Sequence, residues 1–247
     1  MTHSKRHTIH ACNQHLSWCN AHPPVKVIAP GDIVTFEEID TVCGQLDRNS
    51  TAADIATLDF SNVNPVVGPV YVDGAEPGDA LKVTLLEFAG SGWGWTALIP
   101  GFGLLADEFP DPALNIWDYD RSLSSPMLFS SVAKIPLRPF CGIIGVEQAA
   151  KGEFSTLPPY PTGGNMDTRD LGVGVDIYLP VQVPGALFSL GDPHAAQGDG
   201  EVCGTAIESP MGCTVKLDLI KGEALRFPRF VTHEPVTRHV DSGGYEV

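Results

Sequence analysis

The stretch Pro30-Gly31-Asp32-Ile33-Val34-Thr35-Phe36-Glu37 contains the pattern that indicates the fold. Proline suits the second position of a tight turn, and glycine suits the third, where φ is positive. The β-branched and aromatic residues that follow favour a strand. Pro77-Gly78-Asp79, followed by Leu81-Lys82-Val83-Thr84-Leu85, has the same form. The likeness indicates either a duplicated strand unit or two ordinary hairpin entries, and in both cases it predicts two strands entered from turns.

Short strand-like runs cut by glycine and proline continue along the chain, and no stretch keeps a helical period for long. The chain has 247 residues, of which 26 are Gly and 21 are Pro, which suits one large, turn-rich domain. We therefore predict a mainly β fold with little helix, forming a single domain over residues 1–247. Residues 1–15, which include several histidines, are expected to be a disordered leader.

The charge balance excludes some classes of partner. Lys and Arg total 15 against 30 for Asp and Glu, which gives a formal net charge of −15. A field of this sign repels phosphate backbones and anionic lipid surfaces. The sequence also lacks the apolar stretch of a signal peptide or a spanning helix. We therefore expect no nucleic-acid or membrane partner, and a cytoplasmic location.

The segment richest in polar residues is Gly191-Asp192-Pro193-His194-Ala195-Ala196-Gln197-Gly198-Asp199-Gly200-Glu201. Asp192 and His194 are two residues apart, so they share one face of an extended backbone. If residues 202–207 form the returning strand of a hairpin, Glu201 comes back beside them. The segment is therefore a candidate metal site. The alternative is a glycine-rich hairpin tip whose acidic side chains only face solvent.

The residue types in this segment leave the identity of the metal open. Two carboxylates and one imidazole suit zinc or another borderline divalent ion. The oxygen atoms of Gln197 and Asp199 would also suit a harder ion such as calcium.

Two further segments place polar side chains after turns. The Pro-rich arm 158–167 ends in Gly163-Gly164-Asn165-Met166-Asp167, which puts Asn165 and Asp167 on the same side of an extended backbone. Its alternative interpretation is a plain crossover loop. Asp40 with Gly44-Gln45 follows the first long strand, where a carboxylate and an amide could serve a substrate. An exposed polar turn explains that second pattern equally well.

These strings together resemble the acetamidase/formamidase family. The segments that match the family are Pro158–Asp167, Leu179–Phe188 and Gly191–Cys203 and, upstream, Trp18 with Asn20, Asn64–Val72 and Arg138–Gly142. The likeness therefore covers most of the chain.

The resemblance implies a mainly β, sandwich- or barrel-like fold and a metal-dependent hydrolase that releases ammonia from small linear amides. The polar positions that match the family's motifs are Asn165, Asp167, Asp192, His194, Gln197, Asp199 and Glu201. The family's chain continues past Gly-Gly-Tyr at 243–245, whereas this sequence ends at Val247, so the resemblance also implies that the family's C-terminal segment is missing. A low charged fraction and exposed strand edges are compatible with a homo-oligomer.

Our working hypothesis assigns roles within this set from chemistry. The predicted ligands of a divalent metal, zinc first and calcium as the alternative, are Asp167, Asp192, His194 and Glu201. Asp199 or Asp40 is predicted to move a proton, and the predicted contacts to a small amide substrate are Gln45, Asn165 and Gln197. Two rival hypotheses stay open. One uses Cys19 as a nucleophile, and the other is a non-catalytic β-rich module that binds a metal or ligand.

Overall fold

A computed structural model describes residues 4–233, and strands dominate its secondary structure. The strands are β1 (Arg6–Ile9), β2 (Gln14–His15), β3 (Ser17–Trp18), β4 (Lys26–Ile28), β5 (Asp32–Ile39), β6 (Val66–Val72), β7 (Ala80–Gly90), β8 (Trp93–Leu98), β9 (Ala113–Asp118), β10 (Met127–Phe129), β11 (Ala133–Ile135), β12 (Phe140–Val146), β13 (Phe154–Ser155), β14 (Pro159–Tyr160), β15 (Gly163–Asn165), β16 (Asp176–Pro180), β17 (Phe188–Ala196), β18 (Ile207–Glu208), β19 (Met211–Ile220) and β20 (Arg229–Val231). The helical elements are α1 (Ala52–Ile55) and two short 3-10 turns, Ala11–Asn13 and Phe60–Asn62. The prediction of a mainly β fold with little helix is confirmed.

Most of these strands form two large sheets. The first has the order β1-β5-β19-β7-β16-β20. The second has the order β14-β15-β12-β17-β18-β8-β9, and β6 joins it by pairing with β17, β2 and β4. Within the described sheets, β1 with β5 and β4 with β6 are parallel pairs, and the other pairs are antiparallel. β17 therefore lies inside the second sheet, between β12 and β18.

The two sheets pack face to face through a shared hydrophobic core. Along β5, buried residues such as Val34 and Phe36 alternate with less buried ones, as expected for a strand with one covered face. The ring of Phe36 meets the ring of Phe188 on β17 with centroids 5.9 Å apart. Every residue of β12 and β17 is buried, because both faces of these strands are covered. This packing confirms the sandwich-like fold.

The first part of the chain is ordered, so the prediction of a disordered leader over residues 1–15 is wrong for residues 4–15. β1 pairs in parallel with β5 and covers an edge that would otherwise be open. The buried Asp32 carboxyl holds β1 in place, because it accepts the Lys5 backbone N–H and lies 2.8 Å from His7 Nε2. Residues 1–3 and 234–247, including the end of the chain on which the missing-segment expectation rests, lie outside the described residues. The single-domain interpretation stays a prediction.

The two Pro-Gly-Asp segments are turns that open long strands. Gly31 has φ of 90° and Gly78 has φ of 94°, as the turn pattern predicted. Both following strands, β5 and β7, pair antiparallel with β19 and flank it on either side. The aspartates close their own turns by accepting backbone N–H groups, from Ala29 to Asp32 and from Glu76 to Asp79.

His15, on β2, gives the fold a pH-dependent contribution to stability. Its Nδ1 lies 2.8 Å from the Ser17 carbonyl oxygen, and its Nε2 lies 3.1 Å from the Ser189 hydroxyl. Burial lowers the pKa of His15 from 6.5 to about 4, despite the hydrogen bond to Ser17. The unfolded chain therefore takes up a proton at a higher pH than the folded chain does. The contribution of His15 should therefore lower the free energy of unfolding by roughly 2–3 kcal/mol as the pH drops from 6.5 to about 4.

We expect His15→Gln to remove most of this component. Urea unfolding at about pH 7 and about pH 4.5 should show a smaller loss of stability in the variant than in the parent. His10→Gln is the matched control, because His10 is exposed and its pair with Glu37 lies at the surface. An identical pH dependence in His15→Gln and the parent would contradict the assignment.

Candidate metal centre

The predicted polar cluster forms where β15, β12, β17 and β18 lie side by side in the second sheet. Asp192 and His194 lie on β17, and Asp167 follows β15. Glu208 ends β18 and pairs with His194 across the sheet. Glu201 lies in the turn that connects β17 to β18. Residues distant in sequence are therefore carried to one place by neighbouring strands.

The backbone is unusual at three of these acidic residues. Asp167, Asp192 and Glu201 have φ of 42°, 56° and 40°, in the left-handed region that favours glycine. Each such residue costs of order 1–3 kcal/mol and persists only where its surroundings fix it. The fold therefore holds these carboxyl groups in positions that an ordinary strand or turn would not give them.

His194 is the centre of the cluster and is 1% exposed. Its Nε2 lies 3.3 Å from Asp192 Oδ2 and 3.1 Å from Glu208 Oε2. Neither contact has the geometry of a hydrogen bond. Its Nδ1 lies 2.9 Å from the side-chain oxygen of Gln197, whose amide N–H in turn donates to the Asp167 carbonyl. Because an amide oxygen can only accept, Nδ1 carries the hydrogen in this pair. That arrangement leaves Nε2 facing the carboxylates.

The cluster concentrates negative charge in a buried place. Burial, reinforced by the Asp192 carboxylate, raises the pKa of Asp167 to about 7. Burial, followed by repulsion from Asp167, raises the pKa of Glu201 to about 8. Burial opposes the charged imidazole, but the Glu208 and Asp192 carboxylates outweigh it and raise the pKa of His194 well above its ordinary value. One imidazole faces several carboxyl groups, so the cluster favours an added cation.

Several polar atoms at the centre have no hydrogen-bond partner within residues 4–233. They are Asp167 Oδ1, Asp192 Oδ1 and His194 Nε2. Gly142 on β12 makes room for them, because a Cβ there would lie 2.4 Å from Asp167 Oδ1 and 2.7 Å from Asp192 Oδ2. Buried polar atoms without partners require an explanation, and an ion is one of the accepted ones.

The donor atoms also fit a small divalent ion. Two overlapping groups have ligand atoms that all lie within 4.8 Å of one another: Asp167, His194 and Glu201, and Asp192, His194 and Glu208. Ligands about 2.0–2.1 Å from a tetrahedral zinc are about 3.3 Å apart, close to the two Nε2–carboxylate distances of the second group. The residues present therefore suit zinc in number, type and spacing.

Glu208 was not among the site residues predicted from the sequence. The predicted returning strand, 202–207, is wrong for residues 202–206, which form a turn and irregular backbone, and β18 contains only Ile207 and Glu208. The pairing of β17 with β18 shifts register between His194 and Ala196, and this shift brings Glu208 opposite the imidazole. A carboxyl group at the end of an apolar run was the available signal.

Two predicted substrate contacts lie at the centre. Asn165 lines the cavity beside Asp167; its side-chain N–H donates to the Leu157 carbonyl, and its Oδ1 is buried without a partner among the described residues. Gln197 connects His194 to the backbone of Asp167 and so positions the imidazole.

Gln197→Ala is expected to weaken zinc binding roughly 10–100-fold, because a ligating imidazole depends on the group that holds its second nitrogen. Titration of the purified protein with zinc measures the change. Gln182→Ala is the control, since the side-chain oxygen of Gln182 accepts the Ala149 backbone N–H in an exposed contact. Unchanged zinc affinity in Gln197→Ala would remove the positioning role.

The other predicted site residues are not brought to the centre. Asp199 forms an ion pair with Arg169 at 2.8 Å, and both line a neighbouring cavity of about 480 Å³, which Glu201 also lines. Asp40 accepts backbone N–H groups of Val42 and Gly44 and closes its own turn. Gln45 braces the backbone nearby, with its amide N–H donating to the carbonyls of residues 59 and 62. Tight local hydrogen bonding accounts for both of these side chains.

Cys19, the candidate nucleophile of one rival hypothesis, lies in the turn after β3. Its backbone N–H donates to the buried Glu147 carboxyl, and its carbonyl accepts the His22 backbone N–H. The cavity that contains Asp167 is lined by other described residues and not by Cys19.

A cavity of about 340 Å³ opens onto the candidate metal centre. One wall is polar and contains Asp167, Asp192, Glu201 and Glu208. The cavity's apolar wall contains Val42, Val63, Trp95 and Ile99, and Trp95 lies beside Glu208, with which it pairs between β8 and β18. A small molecule in this space would meet both the carboxylates and these apolar side chains.

A model of the acetamidase/formamidase family matches residues 1–151 and 146–241. The chain belongs to the acetamidase/formamidase family. Membership in the acetamidase/formamidase family confirms the resemblance that the motifs carried.

Relatives within the acetamidase/formamidase family include enzymes from bacteria. A formamidase from Methylophilus methylotrophus is 28% identical over 84% of this chain, and an acetamidase from Mycolicibacterium smegmatis is 30% identical over 89% of it. The chain spans 64% of the length of the former and 69% of the latter. The crystal structure of a predicted acetamidase/formamidase from Thermoanaerobacter tengcongensis matches with a TM-score of 0.87 and 29% identity, covering 94% of this chain and 75% of that one.

Two further expectations stay predictions: the homo-oligomeric state and the cytoplasmic location. Within residues 4–233, the structure contains no helix of the length and hydrophobicity that a membrane span requires.

Proposed function

We propose that this chain is a metal-dependent hydrolase that cleaves the C–N bond of small linear amides to give a carboxylate and ammonia. The formamidase and acetamidase relatives support the reaction class. The observation that supports the metal dependence is the buried imidazole of His194, with two buried carboxylates 3.1 Å and 3.3 Å from its Nε2. Both of these carboxylates, those of Glu208 and Asp192, line the open cavity.

We assign the metal to the most deeply buried group, Asp192, His194 and Glu208, with Asp167 beside it. Amides resist hydrolysis because resonance makes the carbonyl a poor electrophile and ammonia a poor leaving group. A bound divalent ion supplies Lewis acidity at the carbonyl oxygen and lowers the pKa of a bound water to about 7. The mixed imidazole and carboxylate donors favour zinc, and calcium is the alternative.

The chain's own residues supply the remaining roles. Glu201 lines the cavity and is outside the assigned ligand group, so we assign it to carry a proton to the leaving nitrogen. It replaces Asp199 and Asp40 in this role because neither of them lines this cavity. Asn165 Oδ1, buried and without a partner among the described residues, is placed to accept a substrate N–H.

The assigned ligands are themselves held by neutral donors. Thr41 Oγ1 donates to Glu208 Oε2 at 3.2 Å, and the Ala206 backbone N–H donates to Glu208 Oε1 at 2.8 Å. The Asn64 side-chain N–H reaches Asp192 Oδ2 at 3.5 Å. These contacts orient the carboxylates without adding charge.

Elemental analysis together with an ammonia assay on formamide and acetamide tests the proposal. We expect bound zinc in the purified protein and ammonia release that falls at least ~10-fold on chelation and returns when zinc is added back. Restoration by calcium and not by zinc would change the metal assignment.

The same assay separates the rival hypotheses. Cys19→Ser should keep the parent rate, whereas loss of activity in that variant together with insensitivity to chelators would favour the thiol route. Bound metal without ammonia from any amide would favour a non-catalytic module.

A further inference from the structure

The cavity at the metal centre is larger than the smallest amides require. Its volume of about 340 Å³ equals that of roughly eleven water molecules in the liquid, at about 30 Å³ each. Formamide carries no carbon beyond its carbonyl, and acetamide adds a single methyl group. Either molecule, placed with its carbonyl at the carboxylates, fills only part of this volume.

The apolar wall of this cavity is a fixed surface. Val42 and Val63 pack with Trp95 and Ile99 in one hydrophobic cluster, to which Ile55 of α1 also belongs. Their side chains are at most 9% exposed. Because they are held by packing, the surface exists before any ligand binds.

The mouth of the cavity continues this apolar character. Phe60, Phe102 and Leu157 line it and are 46%, 47% and 46% exposed. The rings of Phe60 and Phe102, from separate segments of the chain, meet with centroids 6.0 Å apart. An apolar group extending from the metal centre would remove both the wall and this rim from water, which is favourable in proportion to the area covered.

We propose that this wall is an acyl-binding surface and that the preferred substrates are primary amides with an apolar acyl chain of several carbons, rather than formamide. The inference rests on the proposed function, since it places the amide carbonyl at the metal centre. The carboxylates fix the position of the amide group, and the apolar wall selects for the length of the acyl chain.

A series of straight-chain amides from formamide to hexanamide tests the inference through kcat/KM for ammonia release by the zinc-loaded protein. Each methylene buried on the wall should raise kcat/KM roughly fourfold, so hexanamide should exceed acetamide on the order of 100-fold. Val63→Phe should fill part of the cavity and lower the hexanamide-to-acetamide ratio at least ~10-fold. Val27→Phe is the control for the same change, because Val27 is 58% exposed on β4 and is not part of this cavity.

The outcomes separate this inference from the proposed function. Ammonia from formamide and acetamide, with a kcat/KM that is flat or falls along the series, overturns the acyl surface and leaves the amidase standing. Ammonia from no amide overturns the proposed function and the inference with it. The parent series decides the question even where Val63→Phe fails to fold, and circular dichroism of the variant identifies that case.

Discussion

Replacing His194 with alanine is expected to remove both the bound metal and the release of ammonia. His194 is the residue shared by the two possible ligand groups, so neither group of the described residues can form without it. The loss should exceed the roughly 10–100-fold effect typical of groups that only orient a ligand. Elemental analysis and ammonia release from acetamide measure the two effects on the same preparation.

The control for this variant is His10→Ala, which removes an imidazole that is exposed and paired with Glu37 at the surface. It should keep the metal content and rate of the parent. A His194→Ala protein that retained zinc, or that released ammonia at the parent rate without metal, would show that the imidazole has another role. Circular dichroism should accompany both variants, because His194 also packs edge-on against Phe140 within the core.

Gly142→Ala is expected to have the second largest effect, although it adds only a methyl group. The new Cβ would meet Asp167 Oδ1 at 2.4 Å, Asp192 Oδ2 at 2.7 Å and His194 Cε1 at 3.1 Å, so these groups must move. We expect zinc affinity and ammonia release each to fall at least ~10-fold, with a loss of about 1–3 kcal/mol in the free energy of unfolding.

Gly172→Ala is the matched control. A Cβ at this position meets only the Pro139 carbonyl oxygen at 3.7 Å, an ordinary contact, and its backbone does not require glycine. It should keep both zinc binding and turnover. If Gly142→Ala bound zinc as tightly as Gly172→Ala, the space at 142 would have no part in forming the site.

The fold class was predictable because its signals are local. Turn residues and β-branched runs follow one another along the chain, and the turns at Gly31 and Gly78 occur as the pattern predicts. The leader was not predictable in the same way. β1 is stable because β5 offers an open edge and Asp32 offers a buried acceptor, and neither condition can be read from residues 1–15.

The candidate site was predictable in part. The spacing of Asp192 and His194 predicted that the two side chains meet, and they do, although the left-handed backbone at Asp192 was not predictable from it. The position of Glu208 opposite His194 depends on a register shift in β17, and no local sequence pattern predicts that shift. Asp199 and Glu201 lie in one short turn, and only the folded backbone decides that the first meets Arg169 and the second meets the cavity.

The left-handed backbone at Asp167 and Asp192 restricts evolutionary drift at both positions. Asparagine and glycine adopt this backbone most readily, yet neither carries the negative charge that the imidazole and a cation require. Glutamate keeps the charge but lengthens the side chain within a space that already demands glycine at 142. No single replacement preserves backbone, charge and reach together, so descendants that retain the chemistry should retain aspartate at both places.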